Sequence, residues 1–440
     1  MKGSFYMASI KEGARIYNLF PRLVGKMALW DNHFDRAKDL GFNWIYVNPF
    51  HYPGFSGSLY APKDYYDFNP MFIDVSSNIP PMKQLENMVA SAHKKGLKIM
   101  MDLVINHTAK DHPFTKKNRD WYQRDKKGEI KSPGAWSDGS YIEWGDLAEI
   151  DNAESPDKKN LWEYWKELVV FYIDKGFDGF RADAAYAVPS ELWEYLISTA
   201  KSKNPDVKFF AESLGCSPEE TLELAKSGFD YVFNSSKWWN FQDDWLLKQY
   251  NQVREHAPSI SFPESHDTIR LADELQNFMP GIKQRTFFSG FFSSGWMIPV
   301  GFEFGFKNKT DVVRTGPNDW EDVNYDLTGF IREINNTRKK YKIFNEESPI
   351  TIIDNDNWVN IIVMRKTSCD GKEKALIVLN KDFHNGQRVF YGRFFEALGV
   401  AKGSKIIDLS VENRMEFVPE VNFEYHLQPA EIKLFYAKIK

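Results

Sequence analysis

Eight short apolar, β-rich runs fall at residues 14–20, 43–50, 98–106, 179–185, 208–214, 231–235, 259–267 and 296–304. Helix-like stretches at 35–40, 82–95, 160–175, 190–201, 217–226 and 326–341 separate and close them. In one of these, Leu85, Met88, Val89 and Ala92 recur at helical spacing. Gly41, Gly96 and Gly176 are stop signals, Ser190 reads as an N-cap, and Ser217 with Glu220 makes a capping box. Strands alternating with helices predict an α/β fold, a parallel (β/α)8 TIM barrel. A miscount of two strands would leave an open, doubly wound sheet as the alternative.

The alternation breaks twice. Residues 107–152 are polar, contain Pro113, Gly128, Pro133, Gly134 and Gly139, and are too long for a simple connection. They read as a small inserted domain or lid after the third strand. Farther on, strand-like runs at 350–353, 358–366, 374–380, 405–409 and 431–438 predict a C-terminal antiparallel β domain. The expected division is a barrel of 1–106 and 153–345, an inserted subdomain or lid at 107–152, and a β-sandwich at 346–440.

Composition excludes several classes. The net charge is −5 with no basic block, which argues against a nucleic-acid partner. Cys216 and Cys369 stand alone, without disulfide or zinc spacing. The N-terminus lacks the apolar core of a signal peptide, and no apolar run reaches the roughly 18 to 20 residues of a membrane span. A cytoplasmic protein without a membrane partner is expected; oligomeric state is not readable. Aromatic residues make up 16% of the chain, and filling the core accounts for most of them.

In such a barrel catalytic groups come from the C-terminal ends of strands. Side chains alternate along a strand, so Arg181 and Asp183 share a face at the end of the fourth run. A neighbouring guanidinium keeps a carboxylate ionised and oriented, as a nucleophile requires; a structural ion pair is the alternative. Asp102 interrupts the third apolar run, where backbone groups and Arg181 could satisfy it, and Asn106 and His107 stand at its exit. Glu212 follows three apolar residues. Burial would favour its protonated form, that of a general acid, while a salt-bridged structural glutamate is the alternative. His266 and Asp267 end the seventh run, and Asp267 could equally be an N-cap. Two carboxyl groups about 5 Å apart are the machinery of a retaining glycosidase. No phosphate-cradling glycine loop, Ser/His/Asp arrangement or metal-ligand cluster competes.

The motifs DLVINH (102–107), GFRADAA (179–185), AES (211–213) and SHD (265–267) occur in one order. By them the chain resembles glycoside hydrolase family 13, the α-amylase family, over about residues 14–341. The resemblance implies Asp183 as nucleophile, Glu212 as general acid/base, and Asp267 as a third carboxylate that holds sugar hydroxyls. It implies that Arg181 orients Asp183, that His107 and His266 contact the sugar in the −1 subsite, that Tyr60 stacks on it, and that Asp102 supports the site. Asn106 matches a position that binds structural calcium in many members; no other cofactor is implied. Where starch-cleaving members continue with lysine and histidine, this chain has Ala185-Tyr186-Ala187-Val188. YNLFPR (17–22) and NPDVKFFAES (204–213) are similar to bacterial maltosyltransferases that build α-glucan from maltose 1-phosphate. The Asn-Pro-His that follows their nucleophile is missing here. The expectation is a retaining enzyme acting on α-1,4-linked glucans through a covalent glycosyl-aspartate. Hydrolysis is favoured on base rates within the family, transfer to a sugar by the same residues is the alternative, and a non-catalytic binding module is the third reading.

Overall fold

The computed structural model describes residues 12–137, 140–391, 394–416 and 423–439. Eight strands close into a parallel barrel in chain order. They are β1 (Arg15–Leu19), β2 (Trp44–Val47), β3 (Lys98–Leu103), β4 (Gly179–Ala182), β5 (Lys208–Ala211), β6 (Tyr231–Phe233), β7 (Ser259–Ser261) and β8 (Gly295–Pro299). One longer helix follows each strand: α1 (Asp31–Asp39), α2 (Pro81–Lys94), α3 (Lys158–Asp174), α4 (Ser190–Lys203), α5 (Pro218–Lys226), α6 (Trp245–Val253), α7 (Met279–Phe292) and α8 (Thr328–Lys340).

All eight apolar runs are barrel strands, each shorter than its run. Pro263 has no N–H to extend the ladder beyond β7. After β8, Gly301 turns the chain at φ 87°. Gly41, Gly96 and Gly176 take positive φ just past α1, α2 and α3, as the stop signals required. The Ser217 capping box forms. At α4 the expectation fails by one residue, because Pro189 holds the cap position and Ser190 starts the helix. α6 and α7 escape the sequence pattern. In α7, Phe287, Phe288, Phe291 and Phe292 are all buried, so no one-sided stripe marks the helix.

Register decides what fills the barrel. β4 pairs with β3 and β5 so that Arg181 lies beside Asp102 and Phe210. Trp44 meets Phe210 edge-on at 5.2 Å, and Phe210 stacks on Tyr231 at 5.1 Å. Gly179 makes room for this aromatic layer. A Cβ there would lie 2.6 Å from the Lys208 carbonyl and 3.2 Å from the Trp44 ring.

Contacts divide the chain into two compact units: Tyr17–Phe233 with Thr310–Glu321, and the remainder. In the first, a hairpin of His51–Pro53 and Pro62–Phe68 follows β2. Within 107–152, His107–Ala109 pairs with Leu147–Glu149, and Gly134–Ser137 pairs with Ser140–Glu143. The second unit carries a C-terminal antiparallel sheet of β9 (Ile350–Ile352), β10 (Ile361–Thr367), β11 (Glu373–Asn380), β13 (Ile406–Asp408) and β15 (Ile432–Lys438). A second pair, β12 (Gln387–Tyr391) and β14 (Phe423–Leu427), brings Val389 and Leu427 into one core with Val363, Leu376, Val378 and Phe435.

This unit also buries two cations at the end of α7, where helix carbonyls lack intrahelical partners. Arg338 of α8 donates to the carbonyls of Gly290, Ser293 and Ser294. Lys366 of β10 donates to Phe291 O at 3.1 Å and Phe292 O at 2.7 Å. Burial brings the Lys366 ammonium down to about 7, against the opposing charge of Glu347. Among the described residues, no helix is long and apolar enough to cross a membrane.

Candidate active site

Arg181, only 3% exposed, ends β4 at the centre of a carboxylate cluster. One terminal nitrogen donates to Asp102 Oδ1 at 2.9 Å, to Asp102 Oδ2 at 3.1 Å and to Asp183 Oδ1 at 2.9 Å. The other meets Glu212 Oε1 at 2.9 Å. Burial pulls the guanidinium pKa down, but Asp102 and Glu212 hold it well above the ordinary value. The Arg181–Asp183 ion pair is formed, and it fixes the orientation of the Asp183 carboxyl group.

Asp102 has no exposed surface, and its Oδ2 accepts hydrogen bonds from the Tyr46 and Tyr60 hydroxyls, each at 2.7 Å. Asn48 Nδ2 donates to both hydroxyls, at 3.2 Å to Tyr46 and 2.9 Å to Tyr60. Asn18 of β1 donates to Asn48 Oδ1 at 2.8 Å. The hydroxyl of Tyr60 is thereby fixed while its ring remains part of the site. Sequence reasoning missed Tyr46, Asn48 and Asn18. The available signal was Tyr46 and Asn48 at i, i+2, on the inward face of β2 and its exit.

Asp183 and Glu212 stand one step past their strands, continuing the ladder through Asp183 N–H to Leu103 O and Glu212 N–H to Ala182 O, both 3.1 Å. Glu212 Oε2 accepts the Ala184 N–H at 2.7 Å. Ala184 takes φ 39° and ψ 51°, a left-handed backbone unusual for a residue with a Cβ. The expectation for Glu212 was a carboxyl that burial keeps protonated. The geometry differs: both oxygens accept from donors, one of them cationic, which are the contacts of a carboxylate. Tyr186 follows in a single 3-10 turn, 37% exposed, with the turn anchored by Trp193 Nε1–H to Ala185 O at 2.9 Å. Burial and the charges of Glu212 and Asp183 push its phenol up to about 12.

His107 is buried, and its Nε2 lies 2.8 Å from the Tyr60 carbonyl, so that nitrogen carries the proton. Burial brings the imidazole down to about 4, against the pull of that carbonyl, and it is neutral at pH 7. Asn106 Oδ1 is buried with no hydrogen-bond partner among the described residues. Calcium takes six to eight oxygens, commonly with several carboxylates. Among the described residues no group of three or more His, Cys, Asp or Glu could hold an ion.

His266 and Asp267 follow β7 in the other unit. His266 is buried, with Nε2 2.9 Å from Asp267 Oδ2. Their loop is held by Ser265, whose Oγ accepts the Asp267 N–H at 3.3 Å, and by Glu264, 1% exposed, which accepts from Arg270 NH1 at 2.8 Å and from Leu271 N–H.

A closed parallel barrel with acids clustered just past its strand ends defines a class of (β/α)8 enzyme-type scaffold. Residues 21–213 match the alpha-amylase catalytic-domain model. That stretch is similar to the alpha-amylase family, glycoside hydrolase family 13, and the longer matches are to maltosyltransferases. The alpha-1,4-glucan:maltose-1-phosphate maltosyltransferase of Burkholderia pseudomallei is 24% identical over 83% of this chain and 33% of its own length. That of Picrophilus torridus is 27% identical over 85% of this chain and 61% of its own. The chain thus spans a third to three fifths of these curated relatives. A maltogenic alpha-amylase from Thermotoga neapolitana shares the fold, with a TM-score of 0.76, 20% identity, and coverage of 98% of this chain and 100% of that one.

Proposed function

We propose that this chain is a retaining α-glucan-active enzyme that moves a glycosyl unit by way of a covalent bond to Asp183. The observation that carries the reading is the single guanidinium of Arg181 shared by Asp183 and Glu212. It gathers two carboxyl groups around one cation, and the motifs they stand in imply the retaining use of such a pair, displacement by one acid with proton transfer by the other.

Asp183 attacks the anomeric carbon while Glu212 gives its proton to the departing glycosidic oxygen, leaving a β-glycosyl ester on Asp183. Glu212, now a carboxylate, takes the proton of the incoming hydroxyl as that oxygen displaces Asp183, and the product is again an α-glycoside. In the free site the two oxygens of Glu212 are held by Arg181 and the Ala184 N–H. The first step needs a proton on Glu212, so substrate has to displace one of these contacts. Tyr60 offers a ring face to sugar C–H groups, and neutral His107 can meet a hydroxyl without bringing a charge. The part of Asp267 and His266, holding sugar hydroxyls, rests on the SHD motif.

The same residues serve hydrolysis and transfer, because only the acceptor differs. Base rates within the family favour hydrolysis; the maltosyltransferase names of the relatives support transfer, while Ala185-Tyr186-Ala187-Val188 departs from both patterns. Incubation with maltoheptaose, and separately with maltose 1-phosphate plus an oligosaccharide acceptor, tests this by chromatography of the products. Longer chains are expected. Shorter chains alone would make the enzyme a hydrolase, and unchanged substrate in both arms would overturn the proposal.

A further inference from the structure

The segment Thr310–Glu321 follows β8, yet its contacts group it with β2 to β6 rather than with the chain on either side of it. Three docking points fix it there. The Leu59 N–H donates to Val312 O at 3.1 Å. Arg22, 8% exposed, donates from Nε to Thr315 O at 2.8 Å and from NH1 to Gly57 O at 3.2 Å. The Trp320 ring lies 5.5 Å from the His33 ring, with the Arg36 guanidinium 5.7 Å from its centroid. The strap is also braced internally. Asp311 Oδ1 accepts the N–H groups of Val313 and Arg314, each at 2.8 Å, and Asp311 N–H donates to Thr315 Oγ1 at 2.7 Å. Asp311 supplies the opposing charge for buried Arg22.

Its place in the barrel gives this docking a meaning. The strap leans on the loops after β1, through Arg22, and after β2, through Gly57 and Leu59. Leu59 adjoins Tyr60, whose hydroxyl is bound to Asp102. Glu212 stands after β5, and the strands between are β3, with Asp102, and β4, with Arg181 and Asp183. Along this arc the strap and Glu212 lie at opposite ends of the carboxylate cluster. A glycoside whose leaving oxygen faces Glu212 extends its other end past Tyr60 toward the strap.

We infer that the Thr310–Glu321 strap walls the donor end of the cleft and sets how many sugar residues of an α-glucan can lie beyond the −1 position. The inference rests on the glycosyl-transfer reading above and adds a length limit to it. The strap is a specificity element; it touches neither Asp183 nor Glu212 in the contacts described.

The test compares the length of the unit that is transferred or released from maltose through maltoheptaose. Wild type is expected to process one dominant short length. Replacing residues 312–319 with a four-residue Gly-Ser linker should raise the proportion of longer units at least tenfold. Arg22→Met keeps the strap's length but removes its hydrogen bond to Thr315 and the charge facing Asp311, and should shift the distribution in the same direction; it carries the test if the shortened variant does not fold. Turnover with the same length distribution in wild type and variants overturns the inference and leaves the functional reading standing. A wild type that turns over no glucan or glycosyl phosphate overturns the functional reading and takes the inference with it.

Discussion

Among the buried arginines, Arg181 and Arg338 lie one in each compact unit, and their partners are opposite in kind. Arg181 faces the carboxylates of Asp102, Asp183 and Glu212. Arg338 faces main-chain carbonyls at the end of α7, with Lys366 beside it on the same helix end. A guanidinium among carbonyls completes backbone hydrogen bonds that have no other partner, and its work ends with folding. One guanidinium shared by three carboxyl groups in a desolvated place is an arrangement that folding alone does not call for. The two surroundings carry two different expectations, stability alone for Arg338 and activity as well for Arg181.

The comparison breaks most sharply at the acids. Asp183→Ala should lower turnover by more than about 10⁴-fold, and Glu212→Gln by roughly 10² to 10⁴-fold, with both variants folded by circular dichroism. If either retained turnover within tenfold of wild type, the assigned mechanism would be wrong. Next come the arginines themselves. Arg181→Met strands three buried carboxylates and should lose activity together with about 3 to 5 kcal/mol of stability. Arg338→Met should lose stability of similar order, about 3 kcal/mol, while kcat per folded molecule stays within twofold of wild type. Equal loss of kcat in the two would erase the distinction drawn between them.

Titration gives smaller effects, in two separate windows, and in both stability rises with pH. In the folded protein Lys366 is lowered to about 7 from 10.5, so the unfolded chain binds its proton more tightly. The penalty is complete below about pH 7 and disappears as pH rises toward 10.5. Stability should rise by up to a few kcal/mol over that window, and Lys366→Met should flatten the slope in denaturant titrations. His51 lies in a cage of Phe50, Tyr65 and Tyr172, and burial takes it down to about 3. The unfolded chain protonates first, so stability should fall between pH 6.5 and about 3. His51→Phe should remove that part of the acid sensitivity, by at most a few kcal/mol. Tyr60→Phe is the mildest change: it deletes one hydroxyl from Asp102 and should cost about 1 kcal/mol of stability, with the ring still available to sugar.

Much of this was legible in the residues. The eight apolar runs, the glycines that stop α1, α2 and α3, and the four motifs are local signals, and local signals survive in a linear text. What escaped depends on closure. Asn18, Tyr46 and Asn48 look like ordinary polar residues until β1, β2 and β3 come together around Asp102. Glu212 reads as a desolvated acid because its sequence neighbours are apolar, but β4 supplies an arginine and an N–H that no local window contains. α7 is apolar on every side, so its period vanishes. The strap lies about 250 residues from the loop it docks on, and no spacing rule links Val312 to Leu59.

The aromatic layer beneath the acids also bears on reaction order. Trp44, Phe210 and Tyr231 occupy the inward positions that precede the catalytic level on their strands, and Gly179 lets them close up. The barrel is filled beneath the acids, so on the proposed reading donor and acceptor both reach Asp183 from the strand-end side. A glycosyl unit held on Asp183 between their visits should appear as parallel double-reciprocal lines when donor and acceptor are varied together.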